Sequence, residues 1–386
     1  MKIYICPALM DALVFFVTFA VMYRAGEQGM SIMRCAWIAG LFQLTYMLTS
    51  LAVGFLLSRR NTRIILLTSI VLCTLCGVTC LMAKEFIMIL VIFGCMGIWM
   101  ALFFNAFQTF MRAESAPGDL GRSIGLYTLA WSMGYGTGIF SSGIIYRLGF
   151  IALSVLTILA GVTMLVIMLM HQSRPSGAPS ADECVEQGSG KAPPVDPLYV
   201  LVGWIMIFTA MFIQRPIHNF FPVIYAKAGI SPFMTGLPLF LQLALQAVGG
   251  FAMIRWRHLL YRRTPIGLAH GGAAVIALIM WLWPSLPICF LGISLIGAYA
   301  GFVFFCCVYY SSNSGRRSLN IGVNEFLVGL GSFAGLFVSE WFMRRTGNDA
   351  SMYLVVAVAL LVSLAAQLAI ASLAIASRFR RVVAGP

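Results

Sequence analysis

Long apolar runs separated by short polar joints set the rhythm of this chain. A helix that crosses a bilayer needs roughly 20 apolar residues at about 1.5 Å rise each. Twelve runs meet that measure: 4–23, 34–57, 63–83, 86–111, 123–146, 149–170, 198–225, 233–254, 264–283, 286–311, 319–342 and 350–376. None alternates apolar and polar positions as a barrel strand does, so the pattern predicts an all-α membrane protein of twelve transmembrane helices. The first run is expected to be a retained helix. Asp11 interrupts its apolar core, and no small-residue cleavage site follows before Arg24.

Residues 172–196 form the one long polar stretch, rich in Pro, Gly, Ser and acidic residues. Such a composition predicts a flexible cytoplasmic linker. Cutting there leaves 1–171 and 197–386, a six-helix bundle on either side. The two parts echo each other. At an offset of 197, seven of the 24 residues from Ile124 to Arg147 recur between Ile321 and Arg344, among them Gly134/Gly331, Gly138/Gly335, Phe140/Phe337 and Ser142/Ser339. Glycines four apart on a span allow close approach of a neighbouring backbone. Gly54 and Arg59 recur as Gly250 and Arg255 at almost the same offset. Membrane chains made of two related halves are mostly carriers, which rock one half against the other around a central site.

Composition agrees: 61% of residues are hydrophobic, 10% are charged, and mean hydropathy is +0.94. The net charge of +13 is distributed as a topology signal. With both termini cytoplasmic, 17 of the 25 Lys and Arg fall on the cytoplasmic side and 7 on the outer side, with Arg215 left inside a span. That asymmetry predicts a multi-pass protein of a bacterial-type inner membrane, with the lipid bilayer as its partner and no nucleic acid. The ten cysteines are scattered through the spans, and the Cys73-x-x-Cys76 pair has no second pair to complete a metal site. No metal, cofactor or disulfide framework is expected, and the chain is expected to act as a monomer.

Two basic-flanked halves of six helices with a central linker resemble the major facilitator superfamily. The stretch Gly54-Phe-Leu-Leu-Ser58-Arg59-Arg60-Asn61-Thr62-Arg63 is similar to that family's signature Gly-x-x-x-Asp-Arg-x-Gly-Arg-Arg. Gly54, Arg59 and Arg63 match, whereas Ser58 stands for Asp and Asn61 for Gly; Gly250 and Arg255 are the weaker second copy. The resemblance implies that these residues belong to a cytoplasmic gate loop. Gly121-Arg122-Ser123-Ile124-Gly125 also resembles a family loop. Drug–proton antiporters of the family carry an Arg in the fourth span and a Gly-Pro pair in the fifth. Neither is present here.

A polar side chain at membrane depth faces protein or water. The resemblance implies a cavity lined by spans 1, 4, 7 and 10, with 2, 5, 8 and 11 contributing, and the candidates fall on them. In the first half they are Asp11, Gln43, Asn105, Gln108 and Tyr127; in the second, Gln214, Arg215, His218, Asn219, Gln242 and Gln246. Tyr299, Tyr309 and Tyr310 lie on span 10, and Asn324 and Glu325 on span 11. Spans 3, 6, 9 and 12 are poorer. Asp11 and Glu325 are the candidate proton-coupling residues, with helix packing as the alternative for Asp11. Arg215, followed by Pro216 and Pro222, is either a substrate contact or an arginine reaching for outer headgroups.

The leading expectation is a secondary active transporter of a small polar organic solute, working by alternating access and coupled to protons. Efflux of drugs or metabolites by antiport is the alternative. A membrane-embedded transferase would need a clustered His and carboxylate or an Asp-rich metal motif. The four histidines and twelve acidic residues are dispersed, so no catalytic residues are expected.

Overall fold

A computed structural model of the chain describes residues 2–53, 61–114, 120–171, 197–312 and 317–383. The linker 172–196 and the gate-loop residues Gly54 and Arg59 lie outside the described residues. Twelve long helices and no strand occur among the described residues. In chain order they are α1 (Ile5–Glu27), α2 (Ile32–Val53), α3 (Thr62–Met82), α4 (Phe86–Glu114), α5 (Leu120–Ile145) and α6 (Phe150–Met170). They continue as α7 (Pro197–Lys227), α8 (Pro232–Ala252), α9 (Arg263–Leu282), α10 (Leu286–Ser312), α11 (Arg317–Thr346) and α12 (Ser351–Val383).

Eleven of these are long and apolar enough to cross a membrane, and α5 is the exception among the described helices. Its sequence explains why. Glycines, serines and aromatics dilute its apolar content, and it packs chiefly on α1 and α8 rather than facing lipid. Burial sorts the remaining helices. In the most apolar stretch of α1, 72% of residues are buried, against 28% for α6. The large exposed side chains of α6, such as Ile151, Leu159 and Leu169, form a surface suited to acyl chains.

Helix pairing repeats between the halves. α1 packs on α5, α2 on α4 and α3 on α6; α7 packs on α11, α8 on α10 and α9 on α12. The halves meet along α1/α7, α2/α11 and α5/α8, pairs that interchange when each helix is swapped with its counterpart six places on. Between lipid-solvated helices there is little hydrophobic drive, so close backbone approach carries much of the association. The duplicated glycines supply it. Gly134 and Gly138 of α5 rest on the backbone of Ala8 and Ala12 in α1; Gly331 and Gly335 of α11 rest on Phe208 and Phe212 in α7. Gly97 on Phe42 and Gly297 on Gln242 make a second matched pair. α7 runs unbroken through Pro216 and Pro222. Pro216 has no N–H for the Phe212 carbonyl, and Gly335 lets α11 approach that freed oxygen.

Two arginines finish helices. Arg24 donates to the carbonyls of Leu81 and Ala83 at 2.9 Å and of Cys80 at 3.3 Å, at the end of α3. Arg63 donates to Met168 and Leu169 at 3.2 Å, at the end of α6. Both meet the last carbonyls of a helix, which have no partner within it. With twelve described helices, an even number, the start of α1 and the end of α12 lie on one face of the bundle, the termini-bearing face.

Candidate functional site: a central cavity between the halves

Where α1, α2, α5, α7 and α11 converge, the halves enclose a cavity of about 70 Å³. Asp11, Gln43, Tyr127, Arg215, Asn324 and Glu325 contribute its polar wall, six residues from both halves that the sequence singled out. Tyr127, Trp131 and Tyr135 stand at successive turns of α5, so one face of that helix lines the space. Phe15, Phe42, Phe104 and Phe304 line the apolar part together with aliphatic side chains and methionines.

Glu325 ties the halves together. Its carboxylate accepts 2.6 Å from the Tyr46 hydroxyl of α2 and 2.9 Å from the Gln108 amide of α4. Gln108 is therefore not on the cavity wall itself; it reaches Glu325 and, at 3.4 Å, the Tyr127 hydroxyl. Counting residues from the starts of α1 and α11, Asp11 and Glu325 sit about 9 and 12 Å in from the termini-bearing face. Asp11 is 3% exposed, and no described residue donates a hydrogen bond to it.

Arg215 is 6% exposed and turned inward, which decides against a headgroup contact. It donates to the Ser332 hydroxyl at 3.2 Å and the Tyr135 hydroxyl at 2.9 Å. Its guanidinium lies 5.0 Å from the Phe15 ring centre and 5.4 Å from that of Tyr135, within cation–π range. Asn219 donates to the Arg215 carbonyl and stays within α7.

Tyr135 begins a relay along the α5/α8 seam. Its oxygen receives the Arg215 N–H, which leaves its one proton for Nδ1 of His218 at 2.5 Å. That assigns the ring proton to Nε2, which donates to the Gln242 carbonyl oxygen at 3.0 Å. Alongside, Gln214 donates to Gln246 at 2.6 Å and Gln246 to Ser132 at 2.9 Å. Four residues expected at the cavity, Gln214, His218, Gln242 and Gln246, thus form a buried polar seam behind its wall.

Four more lie elsewhere. Asn105 donates to Ser50 and to the Ala101 carbonyl, joining α4 to α2. Tyr299 turns into the second half and meets His270 at 3.2 Å, where Gln367 also binds. Tyr309 stacks on Phe305 of its own helix, and Tyr310 donates to no cavity group but receives the Tyr261 backbone N–H. Of the gate-loop residues described, Arg63 caps α6, Gly250 packs close to Thr128 and Gly301, and Arg255 is exposed. Sequence reading did not identify Tyr46, Tyr135, Ser132 or Ser332. Tyr46 stands one turn from Gln43 and Tyr135 two turns from Tyr127, a spacing that carried the signal.

A cavity with a few polar groups in a largely apolar wall, between helices whose pairing repeats six places on, is the arrangement expected of a membrane carrier. The model of the Major Facilitator Superfamily matches residues 3–324, and the chain belongs to that superfamily. No curated protein matches its sequence. Solved structures share the fold. The crystal structure of the human organic anion transporter MFSD10 (TETRAN) aligns with a TM-score of 0.69 at 15% identity, over 95% of this chain and 98% of that one. A bacterial homolog to the human lysosomal transporter Spinster, in an inward-facing and unoccupied conformation, aligns at 0.61 and 16% identity over 97% and 95%. The protein is a multi-pass membrane solute transporter.

Proposed function

We propose that the chain is a secondary active transporter that moves a small organic solute across an inner membrane of bacterial type by alternating access. Residues 1–171 would rock against 197–386 with both termini cytoplasmic, and protons would be the coupling ion. The observation that carries this reading is Glu325, a second-half carboxylate held by Tyr46 and Gln108 of the first half beside the cavity. A charged acceptor forms stronger hydrogen bonds than a neutral one. Protonation of Glu325 therefore loosens the tie on the termini-bearing side, and deprotonation restores it. Asp11, on the same wall without a donor among the described residues, is the second proton-accepting group. The likeness to the human organic anion transporter is one of fold, and it assigns no substrate to this chain.

The opposite side is closed by backbone packing. Gly26 of α1 abuts Val223 and Ala226 of α7, and Tyr23 donates to the Ile230 carbonyl at 2.6 Å. The test uses both closures. In proteoliposomes of a variant without native cysteines, a cysteine at Gln43 should react with an impermeant thiol reagent from either face in turn. Labelling confined to one face under every pH gradient would refute alternating access.

A further inference from the structure

The hydrogen-bonding capacity left open on the cavity wall identifies the chemistry of the solute. Glu325 already has two donors, from Tyr46 and Gln108. Arg215 spends two of its five N–H groups on Ser332 and Tyr135, and the Phe15 and Tyr135 rings lie against its guanidinium. The Gln43 amide offers a donor and an acceptor together, and so favours neither.

Donors remain on the wall at Arg215 and Tyr127, but the carboxylate of Asp11 stands apart. Asp11, buried to 3% exposure on the wall, accepts no hydrogen bond from any described residue. The side-chain oxygen of Asn324, also on the wall, is buried without a partner. Both are acceptors, and leaving such groups unmet in a buried site is unfavourable. Formal charge leans the same way, with two carboxylates facing one guanidinium. Eight of the 18 lining residues are aromatic, and ring faces attract organic cations.

We infer that the solute is an amphipathic organic amine. Its ammonium group is received by Asp11, a further N–H or O–H satisfies Asn324, and its apolar body lies between the aromatic walls. This rests on the carrier reading above and narrows it. Asp11 is the specificity-determining residue of the arrangement.

Three compounds with one ring and different heads separate the alternatives: 2-phenylethylammonium, 2-phenylethanol and phenylacetate, titrated calorimetrically into the full chain in phospholipid nanodiscs. The ammonium compound is expected to bind about tenfold or more tighter than the alcohol, with phenylacetate weakest. Asp11→Asn should reduce the ammonium compound to the affinity of the alcohol while leaving the alcohol within about twofold, which also shows that the cavity has survived. Equal or tighter binding of phenylacetate would overturn the assignment. So would ammonium binding that Asp11→Asn leaves unchanged, or the absence of binding by all three. Face-switching of the Gln43→Cys label in the same preparation keeps the two readings apart. If the label alternates while phenylacetate is preferred, a carrier remains and only the amine assignment is lost.

Discussion

Tyr135 shows how one side chain can hold a charge in a membrane interior without a carboxylate partner. It accepts from Arg215, donates to His218 and stacks on Phe15. Tyr135→Phe would keep the stacking and strand both polar neighbours. The expected loss is about 1–3 kcal/mol, the penalty for buried groups left unpaired, read by denaturant unfolding in mixed micelles. Tyr127→Phe should lose less than half as much, because that hydroxyl holds only a 3.4 Å contact from Gln108. A similar loss in both variants would mean that the relay adds nothing. Glu325→Gln gives the matching functional expectation. The neutral amide keeps one acceptor but weakens the tie to Tyr46 and Gln108, so Gln43→Cys should label faster from the termini-bearing face and lose its response to pH. Unchanged labelling would remove Glu325 from the coupling scheme.

At the scale of helices, the duplicated glycines make a claim that sequence and structure share. A methyl group at Gly134 would fall on the Ala8 backbone, and one at Gly331 on that of Phe208. Backbone cannot yield as a flexible side chain does, so each Gly→Ala change should destabilise by about 1–3 kcal/mol and lower the thermal midpoint. Gly267 of α9 has no neighbour where a methyl would sit, and Gly267→Ala should be neutral or stabilising by up to about 1 kcal/mol. The fold was legible for this reason. Span length and the glycine echo can be read directly from the chain, and they placed all twelve helices and marked α5 and α11 as helices of close backbone approach, without naming their partners. The site was only half legible. Burying polar groups marked Gln214, His218, Gln242 and Gln246 as facing something other than lipid, yet hydropathy does not distinguish a cavity from a polar seam between helices. Phe15, Phe42 and Phe304 line the cavity with side chains that read as ordinary core.

The whole molecule holds two closures of different chemistry at opposite ends of one cavity. On the termini-bearing side the tie is a carboxylate with two donors, sensitive to protonation. On the other side it is backbone contact between α1 and α7, where Gly26 meets Val223 and Ala226, and the nearby Tyr146–Glu27 hydrogen bond lies within the first half rather than across the contact. A carrier built this way should open one end at a time, with a different trigger at each. A methyl at Gly26 would come within 2.7 Å of the Ala226 side chain, so cysteines at both positions need only a small separation of α1 and α7 to reach disulfide geometry. The oxidised Gly26→Cys/Ala226→Cys pair should hold the far end shut. Gln43→Cys would then label only from the termini-bearing face, and reduction would restore labelling from both. If the cross-linked protein still labels from the far side, the cavity opens there by some route other than parting α1 from α7. The rocking of one half against the other would then have to be replaced by movement of a single helix.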